Sequence, residues 1–405
     1  MHPSSPHLEP AASDAVSVAP ATEHPSQRRG TGAHASRVIF IDLARALAVV
    51  FMLYGHTVDA LLAPEYRTGP VFEVWQFQRG LTSCLFLMLS GFAFSIATAR
   101  HWQVHLTPSF ALLKRLRRFL LFVALGYTMR VPMAPLSRMA HASDADWRVL
   151  LGVDVLQLIG VTFVGVQLLV LACRSRRVFG GVSLGIALLL IVLAPLVWEV
   201  EWQQHLPLSL AAYLSPSTGS LFPLVPWSAF ILIGAALGIL YARWGAAHLV
   251  RFANGALLGP AVLALAAGAW CSANQVTLFG ANAFAFVPGN LLLRTGACLA
   301  IVGAIAHASR RVTQLPHVFG AVAQESLLIY VLHLLIVFGS ALAPGLFNIY
   351  GQTRTPVQLL PIVVLVISSM TLAAYAWNWL KHAHHRVSWW ASLAVGALVA
   401  FRLAF

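Results

Sequence analysis

The sequence predicts an all-α protein, a polytopic bundle of about ten or eleven transmembrane helices. Three observations carry this prediction. Of 405 residues, 59% are hydrophobic and only 10% are charged, against roughly 25% charged in soluble domains. So few charges cannot cover a water-facing surface, but they suit a lipid-facing one. The apolar stretches run for ~18–25 residues without alternation, long enough for a helix to cross a bilayer. A membrane strand needs only ~9–11 residues and alternates polar with apolar. Finally, Lys and Arg gather at the ends of these stretches, the pattern of topology signals.

The elements follow in order. Residues 1–36 are rich in His, Pro, Ser and Ala. They lack the apolar run of a signal peptide and read as a disordered cytoplasmic tail. Their His content could suggest metal binding, but scattered histidines in such a tail more often bind nothing. Residues 37–405 form one transmembrane domain. Its expected spans are 38–62, 78–99, 114–131, 149–172, 180–198, 223–242, 253–273, 289–308, 321–343, 357–380 and 388–405. The last is the weakest, being short and carrying Arg402.

Placing the N-terminus in the cytoplasm puts the denser basic connections inside. These hold Arg28, Arg29 and Arg37; then Arg100, Lys114, Arg115, Arg117 and Arg118; then Arg174, Arg176 and Arg177. Arg243 with Arg251, Arg310 with Arg311, and Lys381 with Arg386 complete the set. The outer connections are sparser in Lys and Arg. The formal charge of +13 is therefore read as topology, and no nucleic-acid partner is expected. Glu65, Glu73, Asp144, Asp146, Glu199 and Glu201 lie outside with Trp75, Trp147, Trp198 and Trp202. They suit an interfacial belt or a sugar-binding mouth. Cys84, Cys173, Cys271 and Cys298 all fall in apolar segments and form neither a zinc pattern nor a disulfide framework. No internal repeat is evident. Gly234 and Gly238, four residues apart, allow close helix packing.

Ionisable residues inside spans are costly and mark functional sites by default. The first span holds Asp42, Arg45, His56 and Asp59. Arg45 and His56 share a helix face about three turns, or ~16 Å, apart. Such an Arg can hold phosphates from one side of the membrane. A neutral His nearer the other side can take a proton from an acceptor hydroxyl or amine. Asp59, three residues on, can orient that imidazole. The structural alternative is that Asp42 and Arg45 merely neutralise each other and that His56 is a packed core histidine. The ninth span carries Glu325, Tyr330 and His333, with Tyr330 and His333 on one face. The alternative for His333 is a bond to a backbone carbonyl. Arg294 lies near the outer end of the eighth span, where snorkelling to headgroups is its alternative role. Asp154 with Gln157 opens the fourth span, where a carboxylate suits a helix N-terminus.

Taken together, Asp42-x-x-Arg45, the spacing of Arg45 and His56, and the run Phe86-Leu87-Met88-Leu89-Ser90-Gly91-Phe92 resemble the transmembrane acyltransferase superfamily. Asp154 to Gly160, Pro226-Trp227 with Gly234 and Gly238, and Glu325 to His333 are similar to its heparan-alpha-glucosaminide N-acetyltransferase-like branch, related to acyltransferase-3. The resemblance spans residues 38 to about 343. It implies transfer of an acetyl or other acyl group from cytoplasmic acyl-CoA to a sugar hydroxyl or amine on the outer side. It also implies a multi-pass protein of a bacterial inner membrane. Carried over by position, His56 is the catalytic histidine and Arg45 the motif arginine. Where the family often has Gly after that arginine, this chain has Ala46. Lysosomal members use a histidine in the first outer loop, and residues 64–77 contain none. That favours His56, as in the acyltransferase-3 pattern.

The leading expectation is a membrane acyltransferase with His56 as general base, helped by Asp59. Arg45, Lys114, Arg115 and Arg118 hold the CoA phosphates. Asp42, Asp154, Gln157, Arg294, Glu325, Tyr330 and His333 line the substrate cavity. No metal is expected. Direct transfer and an acyl-histidine intermediate are both chemically open. The competing expectations are a lipid or glycan transporter using the same ionisable residues as a pathway, and a non-catalytic family member.

Overall fold

The computed structural model describes residues 38–244, 248–276 and 287–404. The expected tail at 1–36, with Arg28, Arg29 and the adjoining Arg37, lies outside them. The described chain is helical except for its loops and one very short hairpin. The first half comprises α1 (Ile39–Leu61), α2 (Pro70–Arg100), α3 (Phe110–Met129), α4 (Asp144–Leu151), α5 (Val155–Cys173), α6 (Arg176–Glu199), α7 (Leu208–Ala211) and α8 (Leu224–Trp244). Next come α9 (Leu249–Phe252), a π-helical turn (Ala253–Leu258), α10 (Gly259–Ala273), α11 (Val287–Ala308), α12 (His317–Gln324) and α13 (Ser326–Val337). The hairpin β1 (Gly339–Ser340) and β2 (Ala343–Pro344) precedes α14 (Leu346–Tyr350), α15 (Pro356–Ala383) and α16 (His385–Ala404). The two strands pair antiparallel, Gly339 opposite Pro344.

Among the described residues, nine helices are long and apolar enough to cross a membrane, or ten if the bent pair α12–α13 counts as one span. The chain is a multi-pass membrane protein with an all-α helical bundle. Among the described residues, each of the eleven expected spans is helical over most of its length, but three differ from expectation. α3 begins at Phe110, earlier than expected, because Ser109 Oγ accepts from Leu112 N at 3.2 Å and caps it. Lys114, Arg115, Arg117 and Arg118 crowd its first turns, so α3 is not among the helices apolar end to end. The expected span 149–172 is split: α4 ends at Leu151 and α5 starts at Val155. Asp154 makes the new start, its Oδ1 accepting from Val155 N at 2.7 Å while Gln157 Oε1 accepts from Asp154 N at 3.3 Å.

The third difference concerns 321–343, which is two helices meeting at 74° and not one span. The break falls at Glu325. Its side chain is only 6% exposed and takes two bonds from Lys381 Nζ, at 2.8 and 3.0 Å, and one from Asn378 Nδ2 at 3.1 Å. A carboxylate cannot stay buried without such partners, and both donors come from α15. The bend therefore places Glu325 against α15. α16 is helical throughout, but its apolar window is almost wholly exposed on the protein, as a lipid-facing helix would be.

α1 sits inside the bundle, packed against α2, α11, α12, α13 and α15. α2 and α8 approach each other backbone to backbone. Gly91 faces the Ile231 carbonyl, Gly234 faces the Met88 carbonyl, and a Cβ added at Gly238 would lie 2.5 Å from Phe92 O. Only glycine permits that approach, which explains the small-residue pair at 234 and 238. At the N-terminal end of α1, Phe40, Phe92, Tyr241 and Phe252 form a ring cluster with centroids 5.2 to 6.4 Å apart. Near its start α8 departs from helical geometry at Val225. The Val225 carbonyl is taken by the Trp198 indole at 2.7 Å.

Candidate functional site

The site is built around the last two turns of α1. His56 stands five residues before the helix end at Leu61, about 7 Å along the axis. Arg67 closes that end, donating to Asp59 O at 2.6 Å and to Leu62 O at 3.0 and 3.1 Å. A guanidinium there satisfies carbonyls that the helix leaves open and complements its dipole. The backbone of Arg354 adds two further bonds, to Leu61 and Ala63.

The half-buried His56 ring faces α13. Its centroid is 5.3 Å from that of His333 and 5.7 Å from that of Phe338. His333 is fully buried at 0% exposure. Its Nδ1 bonds to Ile329 O at 2.8 Å, one turn back on the same helix, while its Nε2 has no partner. The carbonyl bond anticipated as the structural alternative for His333 is present, and it leaves the second nitrogen unused. Tyr330 packs edge-on to His333 at 5.7 Å and lies within electrostatic reach of Asp154 and Arg130. Arg130 Nη1 stands 3.7 Å from Asp154 Oδ2, so Asp154 caps α5 and neutralises a cation together. On the other flank, His56 is within reach of the charge on Arg79, whose Nη2 donates to Asp59 Oδ2 at 2.7 Å. The result is a line of polar groups in an apolar bundle: Asp59, Arg79, His56, His333, Tyr330, and then the Arg130–Asp154 pair.

The other expected site residues divide. Asp59 is engaged with Arg79 and, at 3.7 Å, with Arg67; no hydrogen bond joins it to His56 among the described residues. Asp42 and Arg45 are half-buried on the first two turns of α1. Arg115 donates to Thr98 Oγ1 at 2.6 Å and lies 4.0 Å over the Phe94 ring, tying α3 to α2. Lys114 and Arg118 are exposed beside it. Arg294 Nη1 donates to Gly80 O at 2.9 Å and its Nε bonds Asn290, so it clamps α11 to α2. Glu325 is held by Lys381 as described, and Gln157 completes the α5 cap. Among the described residues there is no group of three or more His, Cys, Asp and Glu able to hold a metal ion. Sequence reasoning missed Arg79, Arg130 and Lys381 as partners. Each sits at the end of an expected span, where its charge reads as a topology signal.

In a multi-pass helical bundle, two histidine rings thus meet between α1 and α13, flanked by the Asp59–Arg79 and Arg130–Asp154 ion pairs. The family model for the heparan-alpha-glucosaminide N-acetyltransferase catalytic domain matches residues 37–270. The match covers more than half of the chain, and the protein belongs to that family of membrane acetyltransferases. His56 lies inside the matched region and His333 beyond it. A comparison with curated proteins gave no match.

Proposed function

We propose that the protein transfers an acetyl or other acyl group from acyl-CoA on the side of the α1 N-terminus to a sugar hydroxyl or amine on the opposite side. The observation that carries this reading is the placement of His56 near the C-terminal end of a family-matched α1, against a second buried histidine. In this reading the α1 N-terminus faces the cytoplasm and the membrane is a bacterial inner membrane. The density of Lys and Arg in the connections on that side supports the orientation. Arg45, with Lys114, Arg115 and Arg118, draws the CoA phosphates. Arg115 is anchored to α2, so Lys114 and Arg118 are the exposed cations of that set. His56 takes the proton of the acceptor as its oxygen or nitrogen attacks the thioester carbonyl; the C–S bond breaks, and the leaving CoA sulfur takes that proton back from the His56 imidazolium to depart as the thiol. Asp59 supports His56 through Arg79, which it holds in place. Asp42, Asp154, Gln157, Arg294, Glu325 and Tyr330 shape the cavity.

The test is CoA release by purified protein in detergent, with acetyl-CoA and a panel of sugar acceptors. Acceptor-dependent release that falls at least ~100-fold in His56→Ala is expected of a lost general base. An unchanged rate in that variant removes His56 from the chemistry.

A further inference from the structure

His333 has a feature that its burial makes costly. Its Nδ1 bonds a backbone carbonyl, Ile329 O, at 2.8 Å. A carbonyl can only accept, so Nδ1 carries the hydrogen. A neutral imidazole has one such hydrogen, and an unpaired cation at a fully buried position is strongly disfavoured. Nε2 is therefore a bare lone pair, buried and unpartnered. Two rings pack against the His333 ring, His56 at 5.3 Å and Tyr330 at 5.7 Å between centroids. The Tyr330 hydroxyl lies in the field of Asp154 and Arg130. His56 has a nitrogen to spare, and no hydrogen bond is made by its ring among the described residues. A centroid separation of 5.3 Å is short enough that ring nitrogens turned toward each other come to ~3 Å, hydrogen-bond distance.

We propose that His333 is a positioning residue that sets the tautomer of His56. Its Nε2 accepts a hydrogen bond from the His56 nitrogen facing it, and the other His56 nitrogen then holds the lone pair offered to the acceptor. The chain of logic runs from backbone to base: the Ile329 carbonyl fixes the His333 tautomer, and His333 fixes that of His56. Orienting partners of catalytic histidines are commonly carboxylates or carbonyls. Here Asp59 is engaged by Arg79 and Arg67, and a neutral imidazole takes the orienting place. When His56 gains the acceptor proton, its other N–H still donates to His333, so no proton need pass to the deeper ring. This inference rests on the reading of His56 as the base.

The test is 15N NMR of the full-length protein in lipid nanodiscs, with 15N-labelled histidine and the His56 signals identified by their loss in His56→Gln. The expected wild-type result is one protonated and one bare nitrogen on each of His56 and His333, with the protonated one on His333 being Nδ1. In His333→Phe, which keeps the ring but removes the acceptor, His56 becomes a mixture of tautomers. In His333→Gln, whose amide oxygen can accept, the single tautomer returns. In the same variants, kcat for CoA release falls ~10-fold or more in His333→Phe with KM little changed, and recovers in part in His333→Gln. A single, unaltered His56 tautomer in His333→Phe overturns the inference. So does a wild-type His333, its signals identified by their loss in His333→Gln, that is protonated at Nε2. If CoA release is unchanged in His56→Ala, the functional reading fails, while the NMR result still decides the hydrogen bond.

Discussion

Removing the amine of Lys381 isolates a buried carboxylate, and the structure sets the size of the effect. Glu325 is 6% exposed and Lys381 is 44% exposed, with Nζ at 2.8 Å from Oε1 and 3.0 Å from Oε2. Deleting one partner of a buried ion pair costs about 3–5 kcal/mol, chiefly because the other charge stays buried. The lysine end is open to solvent, which screens the pair, and Asn378 continues to donate at 3.1 Å. Lys381→Met is therefore expected to destabilise the protein by about 2 kcal/mol. Adding Glu325→Gln should return most of that loss, because a neutral amide needs no counter-ion. The assay is equilibrium unfolding in mixed micelles for the two single variants and the double. A Lys381→Met variant within about 0.5 kcal/mol of wild type, or a double variant no better than the single, would refute the idea that this pair holds the bend between α12 and α13.

Three further outcomes follow from the geometry. Gly238→Ala places a Cβ 2.5 Å from Phe92 O and 2.9 Å from Ser95 Cβ; forcing α2 and α8 apart should cost about 1–3 kcal/mol, read as a lower Tm in detergent. Asp154→Ala removes the α5 cap and the partner of Arg130, with an expected loss of about 1 kcal/mol in the same unfolding assay. Asp146 lies in the loop helix α4, where bonds from Ser143 Oγ at 2.6 Å and Ser143 N at 2.9 Å hold its carboxyl below the usual carboxylate range. Its capping contribution is therefore present at neutral pH and lost as pH falls through that lowered value. Ser143→Ala should move the Asp146 titration up, as followed by 13C NMR of labelled aspartate.

Much of the fold was legible because a bilayer imposes long apolar runs, and a run needs no knowledge of its neighbours. Gly234 and Gly238 could likewise be read as a contact face from spacing alone. The break at Glu325 could not be read this way. Ala321-Val322-Ala323 and Leu327-Leu328-Ile329 look like one span, and the bend depends on Asn378 and Lys381 from a distant helix. The same holds for the site. Periodicity put His56 on one helix and Tyr330 with His333 on another, but it carried no sign that the two helices meet ring to ring. Arg79, Arg130 and Lys381 were indistinguishable from topology charges, since an arginine at a span end looks the same whether it faces headgroups or a carboxylate. Arg294 adds a partner of the same kind: it bonds a backbone carbonyl, Gly80 O, on its neighbour α2, a contact that its place in the eighth span did not reveal.

The central claim is acyl transfer across the membrane through His56. It is tested most directly in sealed proteoliposomes sorted for one orientation, with acetyl-labelled acetyl-CoA on the side of the α1 N-terminus and the sugar acceptor on the other. The account predicts labelled acceptor on the far side with wild-type protein and none above background with His56→Ala. Equal labelling by the two proteins, or labelling only when donor and acceptor share a side, would contradict it.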